Sequence, residues 1–221
     1  MKSIRIDLHT HSVGSPDGGL SSADYAQLLA NKQLDVIAIT DHDRIDVAEA
    51  IQKELGANII VGEEITTTHG EIIGLYLTSR IAPGLSPLHT AEAIKKQGGL
   101  VYIPHPFETV RRGIDKDSLA HIAHLVDIVE VHNGRALFQN KGPQAAAWAR
   151  MHNKPGASSS DAHGIKGVGT SYTAVTTLPT AKTLADLLHT SEKHVVSPPL
   201  MSLLYPKYNR LRGKLKRKER S

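Results

Sequence analysis

The sequence predicts an α/β domain of parallel strands joined by helices, and three observations predict it. Six short apolar runs are spaced along the chain, each with the length and bulk of a strand buried on both faces. Stretches with helical apolar spacing fall between them. The length of 221 residues suits a closed α/β barrel built on one core. Each run also ends in histidine or carboxylate, so strands lying side by side would gather these polar groups on one face.

Taken in order, residues 3–8 form the first run and lead into His9-Thr10-His11. Ser22 reads as the N-cap of a helix over residues 23–32, with Tyr25, Leu28 and Leu29 as its apolar stripe. Residues 35–39 lead into Thr40-Asp41-His42-Asp43, and Val47, Ala50, Ile51 and Leu55 mark a helix stopped by Gly56. Residues 58–61 lead into Gly62-Glu63-Glu64. Residues 64–68 and 71–77 read as a hairpin turned at His69-Gly70. A helix over 88–97 follows Ser86-Pro87 and ends at Gly98-Gly99. Residues 100–103 lead into Pro104-His105-Pro106, and 119–125 read as helical. Residues 127–129 lead into Glu130-Val131-His132, followed by a helix over 136–151. Residues 154–157 lead through three serines into Asp161-Ala162-His163. A last strand over 173–177 and a helix over 181–188 close the series. About seven right-handed crossover units result. Residues 1–199 are expected as a single domain and 200–221 as a basic, flexible tail.

Composition narrows the chemistry. There is no cysteine, so thiolate-held metal and disulfides are excluded, and nitrogen and oxygen ligands point to Zn, Mn or Fe. The absence of cysteine and of an apolar stretch of signal-peptide length at the start leads to an expectation of a cytoplasmic protein. No apolar run approaches the length of a transmembrane segment. The net charge of +4 is unevenly placed. Residues 207–221 hold eight Lys/Arg and one Glu, leaving 18 Lys/Arg against 21 Asp/Glu in the body. Basicity is therefore a property of the tail, which reads first as a solvated terminus and second as an arm for RNA or anionic lipid.

The polar strand ends carry the chemistry. His9 and His11, two apart in a continuing strand, would share a face and could grip one ion. They are joined by Asp17 in Ser15-Pro16-Asp17-Gly18, by His42, Glu64, His105, Asp161 and His163. Burying so many polar groups without a role would be costly. His69, His89, His121, His124, His152, His189 and His194 sit in turns, helices or runs without a motif and read as surface residues.

The set D-L-H-T-H-S, T-D-H-D, G-E-E-I-T, I-P-H-P and S-D-A-H, in that order over residues 4–175, resembles the polymerase-and-histidinol-phosphatase (PHP) family. The resemblance implies a distorted (β/α)7 TIM-like barrel with two or three divalent metal ions at the C-terminal strand ends, hydrolysing phosphate esters. It implies His9, His11, Glu64 and Asp161 on one ion and as the catalytic set. Glu64 and His105 would hold a second ion, and Asp17, His42 and His163 a third. Glu71 stands where many members have histidine. As a ligand it would shift preference from Zn toward Mn or Fe.

Arg135, Arg111 and Arg112 are candidate substrate contacts, since guanidinium suits phosphate. Asp41, Asp43 and His132 are candidate general acids, Asp7 could hydrogen-bond a metal-bound imidazole from behind, and Glu130 is a candidate functional residue without an assigned role. Relatives acting on nucleoside bisphosphates or short RNA carry an insertion before the fourth motif. Only 33 residues separate Glu71 from His105 here. A small phosphorylated substrate is therefore the first expectation. Nuclease or nucleotidase action on nucleotides, RNA or DNA is the second, and a metal-bound module without activity the third.

Overall fold

The computed structural model describes residues 3–136 and 139–218. Its strands are β1 (Ile4–Thr10), β2 (Val36–Ile39), β3 (Ile59–Thr67), β4 (Gly70–Leu75), β5 (Leu100–Ile103), β6 (Ile128–Asn133), β7 (Gly156–Ser159), β8 (Ser171–Val175) and β9 (Glu192–Val195). Its helices are α1 (Ser22–Ala30), α2 (Asp46–Leu55), α3 (Pro87–Lys96), α4 (Lys116–His121), α5 (Gly142–Met151), α6 (Leu184–His189) and α7 (Tyr205–Lys218). The sheet runs β7-β6-β5-β4-β3-β2-β1-β8-β9. Pairing is parallel through β1, β2 and β3 and again through β5, β6 and β7, with β4 antiparallel between the two sets.

The sheet rolls until its far edge meets β1. The chain just past β7 donates from Asp161 N to His9 O at 2.9 Å, and His11 N donates to Ala162 O at 2.9 Å. β1 to β7 thus form a nearly closed, distorted barrel, as expected. Ile6, Leu8, Val36, Ala38, Ile60, Ile73, Tyr102 and Ile128 belong to one buried cluster, with Leu184 and Leu188 of α6. Ile37, Ile39, Ile59, Val61, Val101, Ile103 and Val129 form the other with Tyr25, Leu28, Ile51, Ile94 and Trp148 of the helices. Apolar bulk on both faces explains why these strands read as continuous runs. The β3–β4 hairpin turns at Gly70, whose φ of 103° and closeness to Ile114 leave no room for a Cβ.

Several boundaries differ from expectation. α1 is capped by Ser21, not Ser22, because Asp24 returns the bond: Ser21 N donates to Asp24 Oδ2 at 2.8 Å and Asp24 N to Ser21 Oγ at 3.3 Å. α4 starts earlier than expected, behind the Asp115 cap. α5 begins only at Gly142-Pro143, where proline favours a helix start; residues 137 and 138 of the expected helix lie outside the described residues. Strand β9, fully exposed at the sheet edge, was not expected. Residues 200–218, expected as a flexible tail, carry a 3-10 turn and α7. Between β4 and β5 lie a loop and α3, with no inserted subdomain.

Candidate metal centre

Parallel strands point their C-terminal ends the same way, and antiparallel β4 offers its start to that same end. His9 therefore meets His11 just past β1, His42 past β2, Glu64 within β3, Glu71 at the start of β4, His105 past β5, and Asp161 and His163 past β7. Register between β1 and β2 is irregular from Asp7 to Thr10, where two histidines must aim at one centre. His105 and Asp161 hold positive φ of 29° and 52°, a backbone cost accepted at both positions.

The donor atoms interlock. His9 Nε2 lies 3.2 Å from His11 Nε2, 3.5 Å from Glu64 Oε2 and 3.7 Å from Asp161 Oδ1. His11 Nε2 is 3.3 Å from Glu64 Oε2 and 3.5 Å from Asp161 Oδ1. His105 Nε2 is 3.0 Å from Glu64 Oε1 and 4.0 Å from Glu71 Oε2. His42 Nε2 is 3.6 Å from Asp17 Oδ1 and His42 Nδ1 is 3.2 Å from Glu64 Oε2. His163 Nε2 is 3.5 Å from Asp17 Oδ2. All nine residues expected as ligands are thus brought together. Three overlapping sets have donors within 4.8 Å of one another: His9/His11/Asp161, His9/Glu64/His105 and His11/His42/His163. His9 and His11 are each common to two sets, a sharing not expected from the sequence.

These residues fit divalent ions. Donors around an ion with bonds of about 2.1 Å sit roughly 3.0–3.4 Å apart, close to the spacings found. Asp17 Oδ1 is buried without a hydrogen-bond partner among the described residues. Four carboxylates, Asp17, Glu64, Glu71 and Asp161, share the centre, and all are buried. Burial opposes charge on Glu64 and Asp161. His9 and His42 around Glu64, and Arg135 and His9 around Asp161, outweigh it and hold both carboxyls well below the usual range. Burial likewise opposes charging His9, but Asp161, Glu64 and Glu130 lift it well above the ordinary value. His11 rises to about 9 against burial, through Asp161 and Glu64. His163 falls to about 4 by burial beside His11. Glu71 rises to about 9 by burial and the charge of Glu64.

Behind the donors stands Glu130, which does the supporting work considered for Asp7. Its Oε1 lies 3.1 Å from His9 Nδ1 and accepts Tyr102 Oη at 3.0 Å. Its Oε2 accepts His105 N at 2.7 Å and Asn133 Nδ2 at 2.9 Å. A carboxylate on the far nitrogen fixes the imidazole tautomer that leaves Nε2 open to a metal. Asp7 instead accepts two backbone groups, His9 N at 3.3 Å and Ser160 N at 3.1 Å. On the other side, His11 Nδ1 meets Ser15 Oγ at 3.1 Å, and Ser15 Oγ donates to Asp41 at 2.8 Å.

A cleft of about 320 Å³ opens over the donors, lined also by Arg111, Arg112, Arg135 and Arg210. Asp41, Asp43 and His132 are not among its lining residues. Asp41 is bound to Ser12 and Ser15, Asp43 accepts Thr66 N at 2.7 Å, and His132 meets Ser171 Oγ at 3.2 Å. Arg111 is spent on neighbours: two bonds to Glu108 at 2.9 and 2.6 Å, one to Asn133, and one to Asp161 at 3.1 Å. Arg135 Nη1 reaches Asp161 and His163 at 3.4 Å each, while its buried Nε has no partner among the described residues. Arg112 is exposed at the rim.

Residues 7–154 match the family model for the PHP domain, and residues 142–192 match that for the PHP-associated region. The chain belongs to the PHP domain family. That family places it among metal-dependent phosphoric ester hydrolases. This PHP domain is 37% identical over 124 residues to the uncharacterized protein MJ1587 of Methanocaldococcus jannaschii, covering 50% of this chain and 72% of that protein. It is 28% identical over 168 residues to a 5'-3' exoribonuclease of Haemophilus influenzae, covering 66% of this chain and 60% of that one. Its fold is shared with a two-domain protein of Bacteroides vulgatus containing a PHP-like metal-dependent phosphoesterase (TM-score 0.69, 20% identity, 95% of this chain and 70% of that one). No helix among the described residues is long and apolar enough to cross a membrane.

Proposed function

We propose that this PHP domain hydrolyses a small phosphate monoester with two or three divalent ions, Zn, Mn or Fe, held by His9, His11, Asp17, His42, Glu64, Glu71, His105, Asp161 and His163. The observation that carries the reading is the convergence of these five imidazoles and four carboxylates beneath an arginine-lined cleft of about 320 Å³. That volume lies at the small end of the range for small-molecule sites. Bound ions would supply an activated water, its pKa lowered from 15.7 toward roughly 7, and neutralise phosphate charge. The chain's own residues prepare this. Glu130 sets the His9 tautomer, and Arg111 holds Asp161 from one side. The Nε of Arg135, without a partner among the described residues, supplies a buried donor beside the cleft, suited to a phosphate oxygen.

The test is hydrolysis of p-nitrophenyl phosphate by protein loaded with Mn or Zn. Turnover should vanish with chelation and in His9→Ala and Asp161→Ala. Metal-loaded protein that turns over neither this ester nor a panel of small phosphomonoesters would defeat the reading. A second reading, a nuclease or nucleotidase, is favoured by the basic residues of α7 beside the cleft and by the likeness to an exoribonuclease. Faster turnover of short RNA or of bis-p-nitrophenyl phosphate than of monoesters would select it.

A further inference from the structure

We infer that helix α7 is a wall of the catalytic cleft and brings Arg210 to it as a phosphate-binding residue; the inference rests on the phosphate-ester reading above. Three observations carry it.

The first is how the helix is seated. A Cβ on Gly164 would stand 2.8 Å from the Tyr205 ring, and one on Gly19 would stand 2.8 Å from Asn209 Nδ2. The start of α7 thus packs its side chains directly over two glycines. One glycine follows His163, and the other stands two residues past Asp17. The second is how the helix is tied. Asn209 Nδ2 donates to Asp17 O at 2.8 Å and to His163 O at 3.0 Å. A single amide bridges the main chains of two donors of the centre. The third is where Arg210 ends. Its Nη2 donates to Asp17 Oδ2 at 2.6 Å, and it lines the cleft together with Pro206.

The other cleft arginines show why this matters. Arg111 has spent its donors on Glu108, Asn133 and Asp161. Arg135 has both Asp161 and His163 on Nη1 and keeps its buried Nε, and Arg112 stands exposed at the rim, its guanidinium without a tie to a metal donor among the described residues. Arg210 spends one donor on Asp17 among the described residues, and its side chain is 61% exposed. A guanidinium carries five N–H donors in a fixed fork. Anchored on Asp17, Arg210 keeps the rest of that fork for a phosphate oxygen entering the cleft. Among the described residues it is the one cleft arginine supplied by the basic C-terminal segment, so α7 joins phosphate recognition to the metal donors.

The test uses the full chain loaded with Mn and three variants: Arg210→Ala, Arg210→Lys and, as a control on the same helix, Arg212→Ala, an exposed residue outside the cleft. Binding of inorganic phosphate is read by calorimetry, KM and kcat on p-nitrophenyl phosphate by steady-state kinetics, and bound metal by elemental analysis. Losing a charged hydrogen bond should weaken phosphate binding and raise KM by roughly tenfold to a hundredfold in Arg210→Ala. Arg210→Lys should fall between that variant and the wild type, and Arg212→Ala should match the wild type. Metal content should hold in all three. Unchanged phosphate affinity and KM in Arg210→Ala would overturn the inference. So would a rise in metal content with faster turnover, which would make Arg210 a competitor for the Asp17 position. An equal loss in Arg212→Ala would reduce the effect to general charge and overturn it as well. A wild type that neither binds phosphate nor hydrolyses the ester would instead bring down the phosphate-ester reading itself.

Discussion

Replacing Glu130 by glutamine keeps the shape of the side chain and changes only its hydrogen-bonding sense, which makes it a sharp probe of the centre. The carboxylate meets Tyr102 and His9 on one oxygen, and His105 N and Asn133 Nδ2 on the other. Glutamine must turn an NH2 toward one of these pairs. Facing His105 N and Asn133, it sets donor against donor at two buried bonds. Facing His9 and Tyr102, it can be met by rotating the tyrosine hydroxyl and by moving the imidazole proton from Nδ1 to Nε2. That second answer removes the lone pair from the nitrogen that lies among Glu64, His11 and Asp161. Bonds to a buried charge are worth about 1.5–3 kcal/mol each, so one or two lost bonds predict a destabilisation of about 2–4 kcal/mol. Loss of such support behind a metal-bound histidine costs about ten- to a hundredfold in metal affinity. Urea denaturation and metal titration of Glu130→Gln measure both. Metal affinity within threefold of wild type, together with unchanged stability, would refute the assignment of Glu130 as the group that orients His9.

Exhaustive chelation should lower the melting temperature by removing the cations that offset Asp17, Glu64, Glu71 and Asp161. Restoring Mn or Zn should raise it, adding roughly 2.7 kcal/mol of stability per site at a hundredfold excess over Kd; scanning calorimetry checks this, and no response to metal would count against the centre. Glu71→His should raise the Zn share of metal taken up from an equimolar Zn and Mn mixture, read by elemental analysis; an unchanged ratio would remove Glu71 from the ligand set. Glu63, beside Glu64 in β3, accepts Ile81 N at 2.8 Å, and burial lifts its carboxyl from 4.5 to about 7. A raised folded value favours the folded state below about pH 4.5, and that support is lost as pH climbs through about 7. Glu63→Gln should therefore be more stable than wild type at pH 8, by at most about 3 kcal/mol. The difference should shrink toward pH 5, and equal differences at both pH values would refute the cause.

What the sequence reveals and what it hides divide along a physical line. The runs before His9, Asp41, Glu64, His105, Glu130 and Asp161 are legible because strands with both faces covered carry apolar residues without interruption. Alternation with helices then forces their ends to one side, which gathers most of the donors before any coordinates, while Asp17, in a loop, and Glu71, near the start of a strand, enter the set only through the family resemblance. β9 escapes because its four residues, Glu-Lys-His-Val, are all exposed and carry no apolar alternation to mark a strand. The start of α1 at Ser21 is decided by Asp24 three residues on, a reciprocal bond that the capping pattern contains once aspartate is admitted at its last position. The supporting groups escape for a different reason. Glu130 is marked as a strand-end acid, but its partner His9 lies 121 residues away and nothing local names it; Arg210 meets Asp17 across 193 residues with no neighbouring motif at all. Such contacts follow from barrel closure and from where α7 comes to rest. A charge count assigns the basic C-terminal residues to solvent, whereas two small seats at Gly19 and Gly164 hold their helix against the donors. Local pattern therefore determines which residues can bind metal, and closure of the fold determines which residues make them bind it in one tautomer with one set of phosphate contacts.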